Sequence, residues 1–422
     1  MSNQIKLQQP IVNGSLRATN FFNGRLVTGV DLTREQNARR EAVRRVGQAA
    51  GEGIVNGLEV QKDSAAGSDP IVNVSRGLAV NRCGRALYLS QDTNINLLQR
   101  FGAFEQPSKI FGDCQPIQPG TYTAGYGLYL LVVSPAESSE GSAPTSGLNN
   151  VFASCNTDVV LETAQFRLLA IDPFLSGETL PSANLLRNYI AYRCFGIVQT
   201  RKFYVDPSGF ALDKYGLIDE MRTKTLADCD VPLAIINWTS SGIQFVEMWA
   251  VRRRLTKINA DKNWTQLIGD RRASETEAMM HQFADHIESL ASVEKDLTKI
   301  KAIDRFDFLP PAGLLPITFS SSNKQSFDTE VFFGNVASAD IALLEGRSLR
   351  SLLDEAKSHE PIDLPAEERI QLYYIRENLE AFNAGQKARL TLVFASHTMT
   401  YRGVARFGAA EFDLSRFAPL TR

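Results

Sequence analysis

"NFFNGRLVTGVDLTREQ", residues 20–36, sets two aromatics before an Asn-Gly pair, then a short apolar run, then hydroxyl and acidic side chains where a helix can begin. Asn23-Gly24 is a turn signal, because both residues tolerate positive φ. Thr28 and Asp31 stand at capping positions. Thr33 with Gln36 also fits a capping box, in which a hydroxyl and an amide satisfy each other's backbone donors. Glu35–Arg39 and Glu41–Arg45 are i,i+4 pairs in the favourable order, each adding about 0.3 kcal/mol to a helix. The helix should stop near Gly51 or Gly53, where glycine can take a left-handed cap. The run 54–60, IVNGLEV, then reads as a strand. Phe21, Phe22 and Arg25 are either the seed of a core or an assembly contact.

At 422 residues the chain exceeds one ordinary core, so two or three domains are expected. Its 44% hydrophobic and 22% charged residues are those of a soluble globular protein. A net charge of -2 argues against general nucleic-acid binding, which needs a basic surface to release counterions. Arg252-Arg253-Arg254 therefore reads as a solvated or salt-bridged cluster rather than a phosphate site. The 5 cysteines include no C-x-x-C pair, which implies no disulfide framework and folding in a reducing cytoplasm. The polar N-terminus lacks the apolar centre of a secretory signal, and no run is long enough to span a membrane.

Further along, 71–74, 77–80 and 85–89 read as strands, the last two forming a hairpin about Asn81-Arg82-Cys83-Gly84. Residues 105–120 read as loop. The segment 127–133 is apolar on both faces and predicts a buried strand, and the Ser/Gly/Pro-rich stretch 134–150 predicts a long flexible loop. Strand character returns over 158–171, a helix follows Ser182, and 231–238 with 243–251 make a second hairpin. The clearest helix is 274–301, with Ser274 and Glu277 as a capping box. Met280, Phe283, Ile287, Leu290 and Leu297 recur at three and four, giving about 42 Å at ~1.5 Å per residue. That seam is either a coiled-coil face or a helix lying on its own domain. FLPPAGLLP, 308–316, must be extended, since its prolines remove donors and fix φ. A helix over 341–357 and strands over 371–376 and 389–395 follow, although 366–382 also suits a helix by composition. The pattern implies an α+β protein in four parts. These are an arm (1–20), a β-rich N-terminal domain (21–255) with its Arg-rich helix, a helical connector (256–305), and a smaller mixed C-terminal domain (306–422).

Chemistry is hard to find in the sequence. Gly51, Gly53 and Gly57 follow a helix rather than a strand and miss the dinucleotide spacing. His281 and His286 are five apart, about 140° around a helix, and do not converge on a metal. Asp206 and Asp213 flank a turn that accounts for Asp206 without catalysis. No cofactor or metal site is expected, and no catalytic residue is assigned.

Three stretches together resemble one family. They are residues 20–36 leading to GIVNGLEV (53–60), CDVPLA (229–234) with GIQFVEMWAVRRR (242–254), and FLPPAGLLP (308–316). The pattern resembles poorly characterised accessory baseplate proteins of bacterial phage-tail-like contractile injection systems. The resemblance implies a non-enzymatic structural subunit of a virion-like assembly. Its partners would be baseplate, sheath or fibre subunits, with multiple copies per particle. It would be assembled in the cytoplasm and released or held at a membrane only as part of the particle. The alternatives are a surface- or glycan-binding module or hydrolase carried by the particle, and an assembly chaperone absent from it. Trp249 with Arg252, Arg253 and Arg254 is the first interface candidate, because Trp and Arg are enriched in hot spots. The seam Phe283, Ile287, Leu290 and Leu297 is the second.

Overall fold

The computed structural model describes residues 12–63, 70–97, 125–141, 158–197, 205–206, 216–256, 270–319 and 323–399. The expected loop at 105–120, Asp213, most of the arm and the start of the helical connector lie outside them. Within them the chain is α+β.

The opening motif makes helix α1 (Gly29–Ala50). The capping box sits a turn earlier than Thr33–Gln36. Asp31 N–H donates to the Thr28 hydroxyl, and the Asp31 carboxylate accepts from Thr28 N–H at 3.1 Å. Thr33, already helical, bonds back to the Gly29 carbonyl. Gly51, at φ 115°, ends the helix with its N–H on the Gly47 carbonyl. Glu41 holds both Arg44 and Arg45, whereas Glu35 accepts the Thr19 N–H. The helix lies directly on backbone: a Cβ at Gly47 would meet the Gly84 carbonyl oxygen at 2.1 Å. Only a glycine pair allows that approach.

The run 54–60 is two strands, not one. β1 (Gly53–Gly57) and β2 (Val60–Lys62) are separated by Leu58-Glu59, and Gly57 and Leu58 are both at φ 57°. Opposite them, β3 (Ile71–Val74) and β4 (Gly77–Val80) break at Ser75-Arg76. Leu58 N–H bridges to the Ser75 and Arg76 carbonyls across the corner. One ribbon thus folds into two antiparallel sheets. β5 (Ala86–Leu89) joins β1 and β4 through the expected hairpin, and β6 (Thr93–Asn96) joins β2 and β3. A local twist at positive φ, invisible to apolar spacing, decides this.

β7 (Gly127–Glu140) and β8 (Val159–Ala170) precede the helices α2 (Ala183–Cys194) and α3 (Leu217–Arg222), and β9 (Val231–Thr239) and β10 (Gly242–Glu247) follow. Their antiparallel sheet has the order β10-β9-β7-β8. The expected flexible loop begins too early: 134–140 continues β7, paired to β8, and 142–150 lies outside the described residues. β9 stops opposite Val133, so Pro135 sits where β7 has only one partner and its missing N–H is not needed. The sheet divides two cores. Leu128, Leu130 and Val132 face the helices, while Leu131 and Val133 face the small sheets. Cys83 and Cys194 are free thiols, and the Cys83 and Cys229 sulfurs lie 3.5 Å apart. Spacing along the chain carries no record of which sulfurs meet in space.

Helix α4 (Asp270–Val293) starts before Ser274, whose hydroxyl bonds to the Arg271 carbonyl inside the helix rather than capping it. It ends at Val293, and Leu297 reaches the core from a following 3-10 turn. β11 (Phe308–Leu309) and β12 (Ala312–Pro316) are extended, as the prolines require. The rest comprises α5 (Thr329–Phe333), β13 (Ala337–Leu344), α6 (Gly346–Ala356), β14 (Ile362–Asp363), β15 (Ile370–Ile375), α7 (Arg376–Asn383) and β16 (Thr391–Ser396). The expected helix at 341–357 is therefore shorter, its first residues ending β13. These strands form a sheet β12-β16-β15-β13 in which β13 and β15 run parallel, joined across α6. Leu392 and Phe394 point to one core with α4, and Val393 and Ala395 to another with α6. Helix α4 is shared: Met279 packs with the first half, Phe283 and Ile287 with the second.

Candidate assembly interface

The turn after β10 is organised by Glu247. Its fully buried carboxylate accepts Trp249 N–H at 3.1 Å and Ala250 N–H at 3.3 Å with Oε1. Its Oε2 meets Arg187 Nε at 2.7 Å and Gln282 Nε2 at 3.3 Å, and Arg187 also reaches Asp285 at 2.7 Å. Burial pushes the Glu247 carboxyl up, against the pull of the Arg187 guanidinium. This network ties α2, β10 and α4 together.

The three arginines that follow have separate lives. Arg253 Nη1 donates to the Trp249 carbonyl at 2.6 Å and to the Arg252 carbonyl, and Nη2 to the Ala250 carbonyl at 2.9 Å. It also lies over the Phe195 ring. Arg253 is therefore a brace of the turn. Arg254 pairs with Glu277 at 3.3 Å. Arg252 lies over Trp249, whose indole stacks on His281 with centroids 4.3 Å apart. Trp249, Arg252 and Arg254 come together at one shallow pocket.

The second candidate set is placed differently. Phe283, Ile287, Leu290 and Leu297 are buried in the chain's own core, Phe283 at 1% exposure among Phe306 and Phe394. Of the two readings left open, the helix lies on its own chain. His286, on the same helix, is buried against Phe306, with Nδ1 lacking a partner. Burial, then Arg187 and Arg305, holds its pKa well below the usual value. Between its folded and unfolded pKa values the unfolded chain binds the extra proton, so stability is intact above about pH 6.5 and falls as pH drops below it, by up to about 1.4 kcal/mol per unit. Urea midpoints at pH 7.5 and 5.5 should show this loss, and His286→Phe, which keeps a ring against Phe306, should flatten it. An equal loss in both chains would exclude His286 as its source.

The opening motif supplies a surface that the arginine-rich sequence disguises. Phe21 and Phe22 are 50% and 64% exposed, which overturns the core reading. Arg25 is spent locally, on the Asn20 carbonyl and Asp31. The Thr28 hydroxyl bond, then Thr28 N–H, holds the Asp31 carboxyl below its ordinary value. Among residues of α1 only Asp31 is buried. Leu32, Gln36, Arg39, Val43, Val46 and Ala50, spaced four and three in turn, are all exposed, Val46 at 70%. The side toward the body carries Ala38, Ala42 and Gly47, all partly buried. The helix thus leaves Leu32, Val43 and Val46 to solvent and turns small side chains to the body. The spacing is present in the sequence, interleaved with charged residues.

Other motif residues are structural. Asp230 is buried and accepts from Ser134 at 2.5 Å, Arg167 at 3.1 Å and Ala227 N–H at 2.9 Å. Asn188, on α2, accepts Asp307 and Phe308 N–H groups and donates to the Phe308 carbonyl, standing in for a neighbouring strand. Among the described residues no group of three His, Cys, Asp or Glu side chains is placed to hold a metal, and no helix is long and apolar enough to cross a membrane.

No family model and no curated protein matches the chain. Among solved structures, it is similar to the cryo-electron microscopy structure of the type VI secretion system TssK-TssF-TssG baseplate subcomplex. That match has 10% identity and a TM-score of 0.24, over 66% of this chain and 73% of that one. It is also similar to the crystal structure of TssK, at 8% identity and a TM-score of 0.24, over 66% of this chain and 52% of that one. Superposition this slight carries no argument for a shared fold or role.

Proposed function

We propose that the chain is a non-enzymatic structural subunit of a contractile injection particle, at the baseplate or its periphery, acting through protein–protein contacts. The three motif blocks that resemble the baseplate-accessory family support this reading. The observation that carries it is the set of exposed apolar side chains on α1, Leu32, Val43 and Val46, together with exposed Phe21 and Phe22 before the helix. Clustered exposed apolar side chains are a mark of an interaction site, and a four-three spacing is the pattern of a helix that packs on another.

The test is mass spectrometry of sheathed particles purified from the native host. The chain should co-sediment with sheath and tube in fixed stoichiometry. Val43→Glu with Val46→Glu should deplete it from particles by at least about tenfold, through burial of unpaired charge, with an unchanged melting temperature. Normal incorporation of that variant would exclude the α1 seam. A chain left wholly outside finished particles would exclude the structural reading and favour a chaperone or an independent binding protein.

A further inference from the structure

The other arginines packed in this region have partners, which for Arg253 are backbone carbonyls and for four more are anions. Arg187 has Glu247 and Asp285, Arg193 has Glu178, Arg222 has Glu52, and Arg272 has Glu360. Arg252 is different. Its Nη1 is buried and has no hydrogen-bond partner, and among the described residues it makes no ion pair. Burial alone depresses its pKa, with only the charge of Glu59 acting in the other direction. A desolvated guanidinium with an unused donor is costly unless something supplies the missing anion.

The pocket beside it has about 160 Å³ of space between β1, the turn after β10 and α4. Ile54 and Val55 form an apolar wall, Trp249 and His281 a flat aromatic one, and Arg254 with Glu277 the rim. Cofactor and drug sites usually run to 300 Å³ or more, so roughly this volume suits one side chain. A single guanidinium matches a single carboxylate, in two parallel hydrogen bonds. A phosphate dianion would set its second charge against Glu277. The apolar and aromatic walls suit the methylene stem of an acidic residue.

We propose that this pocket receives one carboxylate side chain, of glutamate or aspartate, presented by a neighbouring protein subunit. The identity of that neighbour rests on the assembly reading above; the anion site itself does not. Arg252 supplies the charge, Trp249 and His281 hold the stem, and Arg253 keeps the turn in shape. The site works as a socket left electrostatically incomplete in the lone chain.

The experiment follows the indole N–H resonance of Trp249 in the full chain, assigned with Trp249→Phe, during titration with N-acetylglutamate N-methylamide. A saturable shift is expected, at least about tenfold weaker with the glutamine analogue and in Arg252→Gln, and partly kept in Arg252→Lys. Because Arg252 makes no ion pair among the described residues, Arg252→Gln should leave the melting temperature unchanged or raise it. Equal shifts with the glutamine analogue, or in Arg252→Gln, would overturn the proposal. So would a lowered melting temperature with binding intact, which would make Arg252 a structural cation. Saturation by inorganic phosphate without response to the glutamate analogue would make this a free-anion site instead. Binding is read on the isolated chain, so its failure leaves the particle experiment standing, and absence from particles leaves the socket standing.

Discussion

Arg187→Ala should lower the unfolding free energy by about 3–5 kcal/mol, the cost of leaving a buried charge without its partner. Glu247 is fully buried, and one of its oxygens relies on Arg187 at 2.7 Å. Without the guanidinium, that oxygen keeps only the Gln282 amide, with the Asp285 carboxylate nearby. The carboxyl, already raised by burial, would rise further. A folded-state pKa above the unfolded one means stability is present below the unfolded value and lost as pH climbs through the folded one. The deficit of Arg187→Ala should therefore be larger at pH 7 than at pH 5. Adding Glu247→Gln should recover part of it at pH 7, because a neutral amide replaces the stranded charge. Urea unfolding of the three chains at both pH values checks this, and a deficit below about 1 kcal/mol would show that the network is dispensable.

Phe283→Ala should cost about 3–5 kcal/mol, the range for removing a buried aromatic and leaving a cavity. The ring lies between Phe306, at 5.4 Å, and Phe394, at 5.1 Å between centroids. Its edge also approaches Gly313, where a Cβ would stand 3.3 Å from Phe283 Cδ1. No neighbour of that kind collapses easily into the space. Val293→Ala, at the exposed end of the same helix, should change stability by less than about 0.5 kcal/mol. Chemical denaturation separates the two. A folded, fully stable Phe283→Ala chain that fails only in particle assembly would return this seam to the intermolecular reading.

The core seam shows how far periodicity reaches. Its repeat at three and four was legible in the sequence and gave a helix with one apolar face. Periodicity does not say what covers a face. Here the chain's own β12 and β16 do so, while the less conspicuous seam of α1 is left to solvent. The same limit split the Arg252-Arg253-Arg254 run. Adjacent side chains on a turn point in different directions, and only the path of the turn sent Arg253 to three carbonyls, Arg254 to Glu277 and Arg252 to an unpaired site.

By itself the sequence determined the α+β class, the Gly51 stop of α1, the hairpins of β4–β5 and β9–β10, the buried strand beginning at Gly127 and the extended proline segment. Each follows from local causes: left-handed glycine, alternation of apolar residues, and fixed proline φ. Tertiary structure alone decided the corner at Gly57-Leu58 and the continuation of β7 past Ser134. It also decided the Asn188 clamp on Phe308, the Arg187–Glu247 pair and which apolar seam stays uncovered. Those depend on partners far away in the chain, and the free energy of meeting such a partner is not written at either end of the contact alone.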